Sequence, residues 1–260
     1  MRKRGIKMVE KIKKPLLFAL SLLPIAIVAG IFSGIYQLDI ISGEMIEEAV
    51  AQLGSKEALI AVTSVQTAVY AFVCGFWGYV LAEKLGLWRP LCFEKRKLAV
   101  TLAVSVVGGI VFSLDHWVFG GMIDGIQTAN KASLTVSGVL AAVIYGGIIE
   151  EILLRLFFMT LIALAVWKLF FRKHGKENIP QTVFVIANVI AAIVFAAGHL
   201  PATLSAFGEL TPLILFRCFL LNGSFGLFFG EIYRKYGIIY SMISHAAFHI
   251  ICKLIWLIFI

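Results

Sequence analysis

The chain has 260 residues, of which 60% are hydrophobic and only 15% carry a charged side chain. An ordinary soluble domain carries roughly 25% charged residues and has too little interior to bury so much apolar surface. The composition therefore excludes a water-soluble globular protein, a disordered chain and a disulfide-stapled secreted scaffold. The formal charge is +8, but the basic residues lie in short clusters between apolar runs, which indicates contact with anionic lipid headgroups and not with nucleic acid.

Long apolar runs follow one another along the chain, and a helix needs about 20 mostly apolar residues to cross the hydrocarbon core. The runs cover residues 15–37, 58–82, 98–120, 132–171, 181–199, 211–231 and 237–259. The fourth run is about twice the required length, which leaves open one long tilted helix or two segments broken near Glu150. We therefore predict an all-α polytopic transmembrane helical bundle of seven or eight spans, which forms a single integral membrane domain over residues 1–260.

Clusters of basic residues predict which ends of the spans face the cytoplasm. The first cluster precedes the first span and comprises Arg2, Lys3, Arg4, Lys7, Lys11, Lys13 and Lys14. The apolar run after it is too long for a signal peptide and lacks a clear small-residue cleavage site, so we expect a retained span with a cytoplasmic N-terminus. Basic loops at 84–97, 172–176 and 234–235 are also predicted inside, and the acidic loop at 39–48 is predicted outside.

These loop assignments limit how many times the fourth run can cross the membrane, but they do not settle the depth of two histidines. Two full crossings by that run would place the basic loop at 172–176 outside, against the charge rule. One crossing agrees with every loop, but it places His199 toward the outer end of its span and His245 in the inner half of another. Re-entrant or half-buried segments could reconcile the two depths.

Ionisable side chains inside the apolar runs cost about 2.5–3.5 kcal/mol each at the centre of a helix, and here they cluster at three places. The first is the sequence GGIIEEILLR at residues 146–155. On an α-helix Glu151 and Arg155 are four residues apart, so they share a face and can form an ion pair. Glu150 lies about 100° further round the helix and is free to point into the bundle. An interfacial loop between two spans is the alternative interpretation of this segment.

Histidines mark the other two places. His199 ends an apolar helix after the small residues 196–198, and Pro201 is expected to stop that helix. His245 and His249 are four residues apart on one helical face, and burying them without partners would cost roughly 1–3 kcal/mol each. A polar boundary residue and a helix-packing pair are the structural alternatives to a functional role.

Together the three places supply the groups that activation of a water molecule requires. A carboxylate can act as general base, one imidazole can orient the water, and further imidazoles can donate hydrogen bonds to a developing oxyanion. The same set of side chains can also bind Zn²⁺. The residue types therefore favour hydrolytic chemistry and leave its metal dependence open.

The order of these motifs resembles that of the CAAX protease and bacteriocin-processing family of intramembrane proteases, which is also called CPBP or Abi. The matching elements are the E-E-x-x-x-R sequence, F-x-x-x-H and a histidine with a polar residue four positions later, and the resemblance covers roughly residues 135–255. It implies that Glu150 is the catalytic base and that His199 holds the attacking water. It also implies that His245 and the residue four positions on stabilise the oxyanion.

The resemblance further implies that Glu151 and Arg155 form a supporting ion pair. One position departs from the family pattern, because the family usually has Asn where this chain has His249. A histidine can still donate to an oxyanion, but it can also ligate a metal. Glu150, His199, His245 and His249 are therefore the zinc ligands if a metal is used, as in a metalloprotease, although we place metal-free water activation without a cofactor first.

The predicted function is hydrolysis of a peptide bond in a membrane-embedded or lipid-anchored protein or peptide, with the lipid bilayer as the other partner and no nucleic acid. The resemblance implies CAAX-type processing, or a role in bacteriocin immunity or pheromone maturation. A proton-coupled transporter that uses the intramembrane Glu and His as a relay is an alternative, although the sequence lacks the matching halves expected of transporters. A non-catalytic bacteriocin immunity protein is a further alternative.

Overall fold

The structure is a computed structural model that describes residues 2–40, 43–90 and 92–260, with the side chains of all of these except residues 2–11 and 45. The basic side chains from Arg2 to Lys11 therefore lie outside the described residues. In the described part of the chain the secondary structure is helical, and no strand forms.

The α-helices are α1 (Arg2–Ile40), α2 (Gly43–Leu53), α3 (Lys56–Leu85), α4 (Lys95–Ser113), α5 (Asp115–Val118), α6 (Ile126–Ala132), α7 (Val136–Leu140), α8 (Thr160–Phe170), α9 (Gln181–Gly198), α10 (Leu200–Phe207), α11 (Pro212–Cys218), α12 (Ser224–Tyr236) and α13 (Ile238–Phe259). A long π-helical stretch, Ala141–Met159, joins α7 to α8, and a short one, Phe219–Gly223, joins α11 to α12. A 3₁₀ turn occupies Lys176–Asn178.

Seven helical stretches within the described ranges are long and apolar enough to cross a membrane. They are Ile12–Ile40, Lys56–Leu85, Lys95–Val118, Val136–Phe170, Gln181–Phe207, Pro212–Tyr236 and Ile238–Phe259. The predicted all-α polytopic bundle is therefore confirmed. The fourth span is one continuous stretch of 35 residues with no break near Glu150, so the count in the described chain is seven and not eight.

The middle of the fourth span is π-helical, where the sequence pattern predicts an α-helix. In a π-helix each N–H bonds to the carbonyl five residues back, so successive side chains no longer follow the 100° step expected for Glu150 and Glu151. Gly147 lets α13 pack closely on this stretch, because a Cβ at this position would lie 2.9 Å from the Ala246 Cα. Close approach of two backbones at small residues is the usual way in which helices pack inside a membrane.

The first and third helices form the support on the other side of the fourth span. α1 and α3 pack closely on each other, because a Cβ on Gly30 would lie 2.4 Å from the Ser64 Cα. The Ser64 hydroxyl donates to the Ile27 carbonyl at 3.0 Å, which satisfies a polar group in the apolar interior. The core between these helices and the fourth span includes Leu22, Ala71, Ile152 and Leu156.

Basic loops lie together at one end of the bundle. Gly237, in the turn before α13, has a φ of +96°, and a Cβ there would lie 3.2 Å from the Arg89 side chain. The Tyr240 hydroxyl also bonds to the backbone of the 84–97 loop, at 2.7 and 3.2 Å. The loops at 84–97 and 234–235 therefore share one end, as the charge pattern of the sequence requires. That this end faces the cytoplasm stays a prediction.

Helices at that end stop at different depths. The hydroxyls of Thr160 and Tyr233 are 2.8 Å apart, which marks one common level of the bundle. From this level α8 continues to Phe170 for about 15 Å, whereas α12 ends at Tyr236 after about 5 Å, at 1.5 Å per residue. The turn between α12 and α13 therefore lies deeper in the bundle than the loop between α8 and α9.

This stagger explains how histidines at unequal distances from the ends of their spans reach one level. The ring of His245, early in α13, lies 6.2 Å from the ring of Phe195, late in α9. His199 follows one turn after Phe195, and the two rings are 4.7 Å apart. The side chains of the two histidines therefore lie at a similar level of the bundle.

Candidate active site

Glu151 is the most completely enclosed polar residue of the site. Its side chain has no exposed surface, and both carboxylate oxygens have partners. One oxygen, Oε1, accepts a hydrogen bond from His245 Nδ1 at 2.9 Å. The other, Oε2, accepts a hydrogen bond from the Ser241 hydroxyl. A buried carboxylate is stable only when its lone pairs are used in this way, so Glu151 is fixed in place.

Arg155 supplies the positive charge that balances this carboxylate. Its Nε lies 3.5 Å from Glu151 Oε1, and only 2% of the residue is exposed. The guanidinium also donates to the Gly226 carbonyl at 3.3 Å and lies 4.5 Å from the centre of the Phe195 ring. Arg155 therefore ties the fourth span to α9 and α12, while the shorter contacts of Glu151 go to α13.

His245 is held on both faces and at both nitrogens. Its ring stacks on Phe229 with a centroid distance of 4.1 Å, and its Nδ1 faces Glu151. A carboxylate partner fixes the proton on Nδ1, so the neutral ring carries a lone pair on Nε2. That Nε2 lies 3.1 Å from His249 Nε2. In the neutral pair His249 therefore donates its Nε2 proton to His245.

His199 lies at the junction of α9 and α10 and is partly buried. Its Nδ1 donates to the Phe195 carbonyl at 2.8 Å, because a carbonyl oxygen can only accept. This bond leaves the lone pair on Nε2 free to accept a hydrogen bond from water. The helix α9 ends at Gly198, as predicted, and α10 begins at Leu200 with Pro201 in its first turn, where no amide donor is needed.

Glu150 differs from its neighbour because it lies on the partly exposed side of the fourth span. Its Oε2 lies 3.9 Å from the position that a Cβ on Gly146 would occupy, and His249 Nε2 lies 3.0 Å from the same position. Glu150 and His249 are thus neighbours across a glycine. Among the described residues, Glu151 forms hydrogen bonds and ion pairs through its side chain, and Glu150 forms none.

The three places predicted from sequence meet around one aromatic ring. Phe195 contacts His199 and lies near both His245 and Arg155. His249 lies within electrostatic range of both His199 and His245. Side chains from the fourth span, α9 and α13 therefore share one region of the bundle.

The predicted zinc ligands are not arranged as a metal-binding group. Across the described ranges, no three His, Cys, Asp or Glu side chains are placed to hold one ion. The contacts of His245 agree with this, because its Nδ1 is used for Glu151 and its Nε2 for His249, so His245 is not free to ligate an ion in this arrangement.

Sequence reasoning missed three side chains that contribute to this region. Ser241 binds Glu151, Phe229 stacks on His245, and Lys253 lies one turn beyond His249. A signal was present for two of them, since Ser241, His245, His249 and Lys253 repeat at a spacing of four on α13 and so follow one face. Phe229 carried no comparable signal, because it is one of 21 phenylalanines.

Residues 132–251, which hold all of these polar side chains except Lys253, match the family model described as type II CAAX prenyl endopeptidase Rce1-like. This segment of the chain matches the CAAX protease family. No curated protein and no solved structure matches it. The family match confirms the resemblance found in the sequence, and at the level of the family it supports a membrane-embedded protease.

Proposed function

We propose that this protein is an intramembrane endopeptidase in which Glu150 activates a water molecule that attacks a peptide bond of a membrane-associated protein or peptide. The contrast between two adjacent carboxylates carries the proposal. Glu151 is buried and fully used by its partners, whereas Glu150 is partly exposed beside His249. The protease family favours this function over the proton-coupled transporter and the non-catalytic immunity protein.

His199 is the group that orients the attacking water. Its Nδ1 is bound to the Phe195 carbonyl, so its Nε2 accepts a hydrogen bond from the water. The water oxygen bonds to the scissile carbonyl carbon, and its proton passes to the Glu150 carboxylate. The C–N bond then breaks with its electron pair on nitrogen, and Glu150 returns the proton to that nitrogen. The products are a carboxylic acid and an amine.

The His245–His249 pair stabilises the oxyanion in this proposal. In the neutral pair one N–H is held by Glu151 and the other joins the two rings, so no N–H is free in the absence of substrate. When substrate binds, the His249 Nε2–H turns from His245 to the oxyanion and stabilises it. Activity therefore requires the Glu150 carboxylate and a hydrogen-bond donor at position 249.

The proposed reaction uses no metal, since the nitrogens of His245 are committed to Glu151 and His249. Purified protein treated with a chelator is expected to keep its cleavage rate. The measurement is the rate before and after chelation, with the zinc content determined by atomic emission. Loss of stoichiometric zinc together with activity, and recovery of both on adding Zn²⁺, would reverse this part of the proposal.

The test of the function is cleavage of a pool of N-palmitoylated peptides by the full chain in phosphatidylcholine vesicles, with the products identified by mass spectrometry. Glu150→Gln keeps the shape of the side chain but cannot take a proton, so the rate should fall about 10²–10⁴-fold. His199→Ala should also abolish most cleavage. Glu177→Gln, in an exposed loop, is the control and should leave the rate unchanged. Normal cleavage by both Glu150→Gln and His199→Ala would refute the proposal.

A further inference from the structure

Lys253 continues the polar face of α13 beyond the two histidines. It lies four residues after His249 within the last membrane span, Ile238–Phe259. A lysine inside a span is costly and calls for a partner or a function. His249 lies within electrostatic range of its ammonium group. The proposed reaction does not use this charge.

The Lys253 side chain is held in place and does not simply extend toward lipid. Its Nζ donates to the Ser133 hydroxyl and lies 5.1 Å from the centre of the Trp256 ring. Ser133 in turn donates to the Asn130 carbonyl at 2.6 Å, which aims a lone pair at the lysine. Trp256 is fixed by its own bond to the Ser113 carbonyl at 2.9 Å.

Comparison with a second intramembrane cation shows what Lys253 lacks. Arg217 binds Asp115 with two hydrogen bonds of 2.6 Å each, so its charge is neutralised within the bundle. Throughout the described residues, no Asp or Glu forms a salt bridge with Lys253. One neutral hydroxyl and one aromatic face leave the ammonium with unused donors and an uncompensated charge.

The spacing along α13 defines how far this charge lies from the reacting bond. Four helical residues correspond to a rise of about 6 Å, and the lysine stem extends beyond that. An extended peptide advances about 3.3 Å per residue. A group held at Lys253 while a carbonyl lies at His249 is therefore about two or three residues from the scissile bond.

We propose that Lys253 is a specificity-determining residue that binds a carboxylate of the substrate about two or three residues from the bond that is cleaved. The proposal rests on the proposed endopeptidase function. The carboxylate comes either from the free C-terminus of the peptide or from an Asp or Glu side chain, and both give the ammonium the charge-assisted hydrogen bond that the bundle does not supply.

The experiment crosses enzyme variants with peptide chemistry in the same vesicles. Three N-palmitoylated pools are compared: free C-terminal carboxylates, C-terminal amides, and free carboxylates with every Asp and Glu replaced by Asn and Gln. Wild type should lose about 10- to 100-fold in kcat/KM when the relevant carboxylate is removed, as expected for a hydrogen bond to a charged group. The amide pool and the Asn/Gln pool separate the two sources of the carboxylate.

Lys253→Met should cleave all three pools at the same low kcat/KM, with the change mainly in KM, while Lys253→Arg keeps the wild-type preference. Lys131→Met, at an exposed lysine, is the matched control and should keep it too. Lys253→Gln repeats the test if the Met variant fails to fold.

No preference among the pools in wild type, or an unchanged preference in Lys253→Met, would overturn the proposal. If Lys253→Met slows cleavage of all three pools by the same factor, Lys253 serves only to contact lipid, and the proposal is overturned. If the protein is not an endopeptidase, the result is different: wild type and Glu150→Gln give the same cleavage of every pool.

Discussion

Glu150 and Glu151 are adjacent in the sequence and differ in burial and in every partner. Glu151 has no exposed surface and is bound by His245, Ser241 and Arg155. Glu150 faces the partly exposed region that also contains His249. The fourth span thus separates two identical carboxyl groups into one that is enclosed in the bundle and one that is partly exposed.

A similar difference in burial separates His245 from His199. His245 is 2% exposed and its ring is fixed by stacking and by hydrogen bonds at both nitrogens. His199 is partly exposed and has one nitrogen bound to backbone. The buried network around Glu151 and His245 fixes the orientation of its side chains, whereas the partly exposed Glu150 and His199 keep free lone pairs. Catalytic sites need both, because a positioned group is only as precise as the residues that hold it.

The largest expected effect contrasts the two acids in stability. Glu151→Gln leaves the Arg155 charge uncompensated in the interior, so the free energy of unfolding should fall by about 3–5 kcal/mol. Glu150→Gln should change it by less than about 0.5 kcal/mol, as for a partly exposed position without partners. Chemical unfolding of both variants in detergent micelles measures the difference. Equal stability of the two variants would contradict the assignment of Glu151 as the buried anchor.

A smaller effect is expected for the serine that shares Glu151. Ser241→Ala removes a hydrogen bond to a charged group, which should lower the free energy of unfolding by about 1.5–3 kcal/mol. Ser244→Ala is the matched control on the same helix, because Ser244 bonds only to the neutral Ser105 hydroxyl at 2.8 Å. That change should cost about 0.5–1.5 kcal/mol. A larger loss of unfolding free energy in Ser244→Ala than in Ser241→Ala would contradict this prediction.

The smallest effect on peak activity is expected at His249. His249→Asn introduces the usual family residue, whose amide donates a hydrogen bond at any pH, so cleavage should be retained or raised. In the wild type the His249 N–H has to leave His245 before it can serve the oxyanion, whereas the Asn amide needs no such step. The kcat/KM of both proteins for the same peptide pool is the measurement. A folded variant without activity would show that His249 has a role particular to this chain.

Several features of the site were available from the sequence. Charges inside apolar runs are rare because of their cost, so Glu150, His199 and His245 stood out from their surroundings. The spacing of four placed Glu151 next to Arg155 and His245 next to His249. Spacing along one helix gives no information about contacts between helices, and so the bond from Glu151 to His245 could not be predicted.

The helical class and a count of seven or eight spans followed from sequence alone, because crossing a bilayer requires about 20 apolar residues and an internally hydrogen-bonded backbone. The π-helical course of the fourth span, the deep turn at Gly237 and the pairing of residues from separate helices arose only in the folded bundle. Local composition sets which segments enter the membrane, whereas the packing of distant segments decides which carboxylate is enclosed and which remains partly exposed.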